Sequence, residues 1–182
     1  MTALLGGAFD PPHNGHVALA RAAQDLFGDV RVLVSAEPGH KQVSATPNLR
    51  LRLAQAAFPG ISVELDDHPR TVDLLAEGTY EEPVFVIGAD EFADFLTWKD
   101  PARVLELAEL AVATRPGYPQ ERLDRVLAQL EQPQRVRFFE IEPLPISSRE
   151  LRERIARGED VSKLVPAGVA ALIDELGLYR QA

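Results

Sequence analysis

The sequence predicts an α/β fold: a doubly wound, mostly parallel sheet with helices on both faces. Two observations predict it. Short apolar runs alternate with longer amphipathic stretches along the whole chain, the pattern of strands joined by helical crossovers. A length of 182 residues suits one well-buried core, and no repeat, low-complexity tract or linker divides it. A single domain over residues 1–182 is therefore expected.

The elements follow in order. Residues 3–5 read as a strand and 14–27 as a helix, with Val17, Leu19, Ala20, Ala23 and Leu26 available for burial. Residues 30–35 (VRVLVS) are a second strand, followed by a helix over 48–58 that Pro47 opens. A third strand over 61–65 precedes a brief helix at 72–76, and 84–87 (VFVI) is a fourth strand leading into a helix over 91–96. Residues 101–108 are helical, 110–113 a strand and 120–130 a helix. The last strand spans 135–141, before helices at 148–157 and 166–176. Such a Rossmann-like arrangement has right-handed crossovers. Its ligand lies at the carboxyl ends of the strands, where the strand order switches.

Composition narrows the function. Hydrophobic residues make up 46% and charged residues 26%, an ordinary globular balance. The absence of cysteine excludes disulfides, thiolate metal sites and cysteine nucleophiles. No apolar stretch is long enough to span a membrane and the first residues lack signal-peptide flanks, so a cytoplasmic protein without a membrane partner is expected. A net charge of −9 argues against nucleic acid as a partner. A small anionic ligand remains compatible, provided a few local cations and backbone N–H groups hold it.

The loop after the first strand reads Gly6-Gly7-Ala8-Phe9-Asp10-Pro11-Pro12-His13-Asn14-Gly15-His16. Gly6 and Gly7 permit positive φ and close backbone approach, and Pro11 and Pro12 stiffen the loop. His13 and His16 share one face of the opening helical turn, while Gly15 clears space for a bulky group. With the helix N-terminus, this suits a polyphosphate. Neither G-x-G-x-x-G nor G-x-x-x-x-G-K-[ST] is present, and no third ligand suits a two-histidine metal site. A second anion cradle is expected where Ile146-Ser147-Ser148-Arg149-Glu150-Leu151-Arg152 opens a helix, with Ser147 or Ser148 as N-cap and Arg152 one turn in.

GGAFDPPHNGH resembles the N-terminal signature of the nucleotidylyltransferase superfamily, H-x-G-H, and ISSRELR resembles its second signature, I-S-S-x-x-[IL]-R. Further stretches are similar to the bacterial nicotinate-nucleotide adenylyltransferases. They are Gly39-His40-Lys41, Thr71-Val72-Asp73, Ile87-Gly88-Ala89-Asp90, Trp98, Ala113-Thr114-Arg115-Pro116-Gly117, Leu164-Val165-Pro166 and Gly177-Leu178-Tyr179. The resemblance covers nearly the whole chain. It implies transfer of AMP from ATP, with Mg²⁺, to nicotinate mononucleotide, giving deamido-NAD and pyrophosphate.

By that resemblance His13, His16, Lys41 and Arg152 are catalytic. Gly6, Gly7, Phe9, Gly15, Gly88, Asp90, Ile146, Ser147 and Ser148 bind ATP, and Thr71, Trp98 and Arg115 the acceptor. No protein metal site is expected, and a homo-oligomer is left open. Gly88 and Asp90 also read as a strand end and N-cap, Trp98 as a packing residue, and Arg115 as a surface ion-pair partner. His68 has no matched role. Pro69-Arg70 directly precedes Thr71 where the family carries an aromatic-containing loop, so that loop is shortened here. The alternatives are a phosphopantetheine or nicotinamide mononucleotide adenylyltransferase and, from another class, a non-catalytic nucleotide-binding protein.

Overall fold

The computed structural model describes residues 1–39, 42–142 and 144–180. The strands are β1 (Thr2–Gly7), β2 (Asp29–Ser35), β3 (Ser62–Asp66), β4 (Pro83–Gly88), β5 (Glu109–Thr114) and β6 (Val136–Glu140). The helices are α1 (Asn14–Phe27), α2 (Pro47–Ala57), α3 (Thr71–Ala76), α4 (Ala89–Ala93), α5 (Pro101–Leu107), α6 (Gln120–Leu127), α7 (Ser148–Ala156) and α8 (Ala167–Leu176). All six strands pair in parallel, in the order β3-β2-β1-β4-β5-β6. The chain starts in the middle of the sheet, builds outward to β3, and returns to β4 on the other side of β1. That reversal opens a crevice at the carboxyl ends of β1 and β4.

Side chains of a strand alternate between faces, and the two faces carry separate cores. Ala3, Leu5, Val32, Val34, Val84 and Val86 pack with residues of α1, α2, α7 and α8. Leu4, Leu33, Phe85, Ile87, Leu110 and Val112 pack with residues of α3, α4, α5 and α6. Each helix layer covers an apolar face that no strand could leave in water.

Local signals set the element ends. Pro47 and Pro101 occupy first-turn positions in α2 and α5, where a missing N–H costs nothing. The Asp100 carboxylate accepts from the Arg103 N–H at 3.1 Å and caps α5. Gly177 ends α8 at φ 61°, a left-handed conformation that glycine adopts without strain. The expected 91–96 helix is instead α4 followed by a separate 3₁₀ turn, Phe95–Thr97. Asp94, at φ −99° and ψ 2°, breaks the α-helical path between them. Leu26, expected to be buried, lies 55% exposed in the last turn of α1.

Arg50, in α2, is fully buried. Its Nε donates to Ala45 O at 3.1 Å, Nη1 to Ala8 O at 2.9 Å and Ser35 O at 2.6 Å, and Nη2 to Ala36 O at 2.8 Å. One guanidinium therefore joins the loop after β1, the end of β2 and the segment before α2. An apolar replacement strands those carbonyls without donors, each costing about 1–3 kcal/mol. Arg50→Met is accordingly expected to lower the unfolding free energy by about 3 kcal/mol or more, measured by urea denaturation.

Candidate active site

From the end of β1, residues 8–13 cross the crevice and enter α1. Gly6 and Gly7 serve close packing here, since neither adopts positive φ. A Cβ on Gly6 would lie 3.0 Å from the Phe85 ring, and one on Gly7 would lie 2.9 Å from the Phe9 ring. Phe9 itself takes the left-handed conformation, φ 50°, a strained state for a non-glycine residue. Its ring is buried, and meets His16 edge-on at 5.0 Å and Phe58 at 5.5 Å. Phe9 thus supports a histidine from beneath.

The His13 and His16 rings stack at 3.7 Å with planes 25° apart. The His13 backbone N–H donates to His16 Nδ1 at 3.2 Å. That bond requires Nδ1 to be an acceptor, so the neutral His16 ring carries its proton on Nε2, which is then a donor. His13 is only 8% exposed, and burial pushes its pKa down from 6.5 to about 4. It is neutral at pH 7, and among the described residues its buried Nδ1 has no hydrogen-bond partner. Gly15 adjoins this ring: a Cβ there would lie 3.0 Å from His13 Nδ1. The glycine makes room for the imidazole rather than for a ligand directly.

The second signature folds onto the first. Ser147 caps α7, its Oγ accepting from the Glu150 N–H at 3.1 Å. Ser148 Oγ donates to Pro11 O at 2.8 Å. Arg152 donates from Nη1 to Asp10 O at 2.6 Å and from Nη2 to Gln42 O at 3.2 Å. Ile146 packs on the core beneath. Lys41, expected beside these groups, lies outside the described residues, as does His40.

Sequence reasoning assigned no part to Asp10, whose side chain is almost fully buried. Its carboxylate accepts from the Ser44 N–H, from the Ala45 N–H at 3.2 Å and from the Tyr179 hydroxyl at 2.8 Å. Arg152 Nη1 stands 3.7 Å from Oδ2. Asp10 lies inside the first signature and Tyr179 inside the Gly-Leu-Tyr stretch, but spacing alone does not reveal that they meet.

The remaining expected residues belong to the other side of the crevice. Gly88 is the N-cap of α4, and Asp90 stands in its first turn. Asp90 accepts from the Tyr118 hydroxyl at 3.2 Å and pairs with Arg115 at 3.9 Å. Arg115 also lies over the Tyr118 ring, 5.7 Å from its centroid. Trp98 packs edge-on against Phe85 at 6.2 Å and Phe95 at 5.4 Å. Thr71 opens α3 directly after the short segment that follows β3. Within that segment His68 bridges Asp66 at 2.7 Å and Glu77 at 2.9 Å, and these carboxylates raise its pKa.

A parallel sheet with a histidine pair at its strand-order switch, closed by a second capped helix, defines a nucleotidyl-transfer architecture. The chain belongs to the cytidylyltransferase-like family, whose model matches residues 4–154. It is 38% identical to a protein of Bordetella avium named "Probable nicotinate-nucleotide adenylyltransferase", with 98% of each chain covered. A Thermus thermophilus protein of the same name is also 38% identical, over 97% of this chain and 98% of its own. The fold is shared with the Plasmodium falciparum nicotinic acid mononucleotide adenylyltransferase complexed with NaAD. That similarity has a TM-score of 0.75 at 17% identity, covering 98% of this chain and 96% of the other.

Two outcomes follow from the histidine pair. Unfolded, His13 binds its proton near pH 6.5; folded, it does so only near pH 4. Between these values the unfolded state holds more protons, so stability falls as pH falls, by up to about 3 kcal/mol from this residue. Urea titrations from pH 7 to 4 should show a steeper decline for the wild type than for His13→Asn. Gly15→Ala should displace the His13 ring and cut turnover by about tenfold or more, with the circular dichroism spectrum retained.

Proposed function

We propose that the protein is a nicotinate-nucleotide adenylyltransferase, transferring AMP from ATP to nicotinate mononucleotide and releasing pyrophosphate. The observation that carries this reading is the stacked His13–His16 pair at the crevice, with α7 docked against its loop through Ser148 and Arg152. The names of relatives at 38% identity over almost their whole lengths support the choice of acceptor. Residues 1–182 would act as one nucleotidylyltransferase domain.

The acceptor's phosphate has a second pKa near 6 and is largely ionised at pH 7, so it attacks without a general base. An oxygen of that phosphate bonds to the α-phosphorus of ATP while the bond to the pyrophosphate oxygen breaks. Both phosphates are anionic, so the protein's task is to hold them in line and balance the charge. The Nε2–H of His16 donates to the α-phosphate, and the His13 ring stacked against it lines the same point. The N–H groups that open α7 face the β- and γ-phosphates. Arg152 has donors beyond those spent on Asp10 and Gln42, and Lys41 joins it on the strength of sequence alone. Mg²⁺ enters with ATP as part of the substrate.

On the far side of the crevice Thr71, Trp98 and Arg115 bind the acceptor, while Gly88 and Asp90 belong with the ATP-binding residues. Among the described residues no helix is long and apolar enough to cross a membrane. A cytoplasmic reaction, as the sequence leads one to expect, is part of the proposal.

The test is pyrophosphate release with ATP, Mg²⁺ and nicotinate mononucleotide, nicotinamide mononucleotide or phosphopantetheine offered separately. Release with the first is expected. Release only with another acceptor would reassign the substrate, and ATP binding without release for any would leave a binding protein. His16→Ala should lower kcat by about 10²–10³-fold with folding intact, the scale of one lost transition-state donor.

A further inference from the structure

Tyr179 follows α8 and lies outside every role assigned so far. Its backbone is left-handed, φ 62°, an unfavourable state for a non-glycine residue. The ring packs at the edge of the core that includes α1, α2, α7 and α8. Its hydroxyl ends on Asp10 Oδ1 at 2.8 Å. Burial and the Asp10 charge both push the phenol's pKa upward, so it remains a donor.

The carboxylate it meets is a junction. Oδ1 takes the Tyr179 hydroxyl and the Ala45 N–H, while Oδ2 takes the Ser44 N–H and faces Arg152. Arg152 in turn bonds the backbone carbonyls of Asp10 and Gln42. Asp10 thereby ties residues 42–45 and α7 to the loop that presents His13 and His16. Without the hydroxyl, Oδ1 keeps one hydrogen bond, and the carboxylate is free to turn toward the Arg152 guanidinium and away from Ser44 and Ala45.

We propose that Tyr179 is a positioning residue for nucleotide binding: its hydroxyl fixes the Asp10 carboxylate, and Asp10 holds the 42–45 segment and Arg152 against the histidine loop. The inference rests on the reading of this crevice as the ATP side of an adenylyltransferase. It adds a residue on the far side of the clamp from the ligand, acting only through Asp10.

The variant is Tyr179→Phe, which keeps the ring and removes the hydroxyl. If the clamp pre-organises the ATP side, the fraction of molecules ready to bind falls and apparent affinity falls with it. Titration calorimetry with Mg²⁺–ATP should show about tenfold weaker binding, the scale of one hydrogen bond to a charged group. The KM for nicotinate mononucleotide should stay within about twofold, because its site lies across the crevice, and Tm should shift by only a few degrees. On an Asp10→Asn background the same change should add no further loss, since the hydroxyl's route to the ligand is already broken.

Unchanged ATP affinity in Tyr179→Phe would overturn the proposal. Equal losses for both substrates with a large fall in Tm would also overturn it, marking a general structural role. So would additive losses in the double variant. A wild type that binds ATP yet releases no pyrophosphate would sink the functional reading alone, because calorimetry would still decide the role of Tyr179.

Discussion

The rest of the structure depends on a buried positive charge. Arg50 sits in the core with its guanidinium spread across the carbonyls of Ala8, Ser35, Ala36 and Ala45. The carbonyls of Ala8, Ser35 and Ala36 belong to chain leaving the carboxyl ends of two adjacent strands, where backbone must turn away from the sheet and loses its ladder partners. That of Ala45 belongs to the segment entering α2. Burying such groups unpaired is costly. Water would satisfy them only by opening the core, whereas a planar cation with several fixed donors does so in place. Asp10 supplies the opposite charge nearby and sustains the ionised state of Arg50 against desolvation.

From that anchor the site is assembled in layers. Phe9 lies under His16, His13 stacks upon it, and Gly15 leaves the room that the imidazole occupies. Across the switch point, Trp98 packs on Phe85, which in turn lies against Gly6. The two sides of the crevice thus meet through an aromatic contact at the first glycine of the loop. The packing that fixes the sheet is also what fixes the reacting groups.

Much of this was legible in the sequence. Strand and helix alternation carries the doubly wound fold, because an apolar run flanked by amphipathic segments has few other ways to be covered on both sides. The two signatures locate the crevice, and the similarity to known proteins agrees with the family they suggest. Less legible were contacts whose partners lie far apart in the chain. Arg50 falls in an α2 stretch that reads as alternating basic and apolar, a pattern shared by many exposed helices. Nothing in it says that this arginine, and not Arg52, turns inward. Gly6, Gly7 and Gly15 were readable as special positions, but the reason differs: ring atoms fill the space a Cβ would need, and no unusual φ is involved.

The hydrogen bond from Ser148 to Pro11 joins residues from opposite ends of the chain. Neither signature can present its groups to the same point until the intervening strands have paired and both helix layers have docked. Contacts of such long sequence separation are paid for in loop entropy before they return any energy. Local helices form early on this account, and the nucleotide crevice, which needs the parallel strands paired across long crossovers, forms late. A nascent or partly unfolded chain therefore has no half-built site with which to bind a nucleotide, and competence appears only with the finished domain.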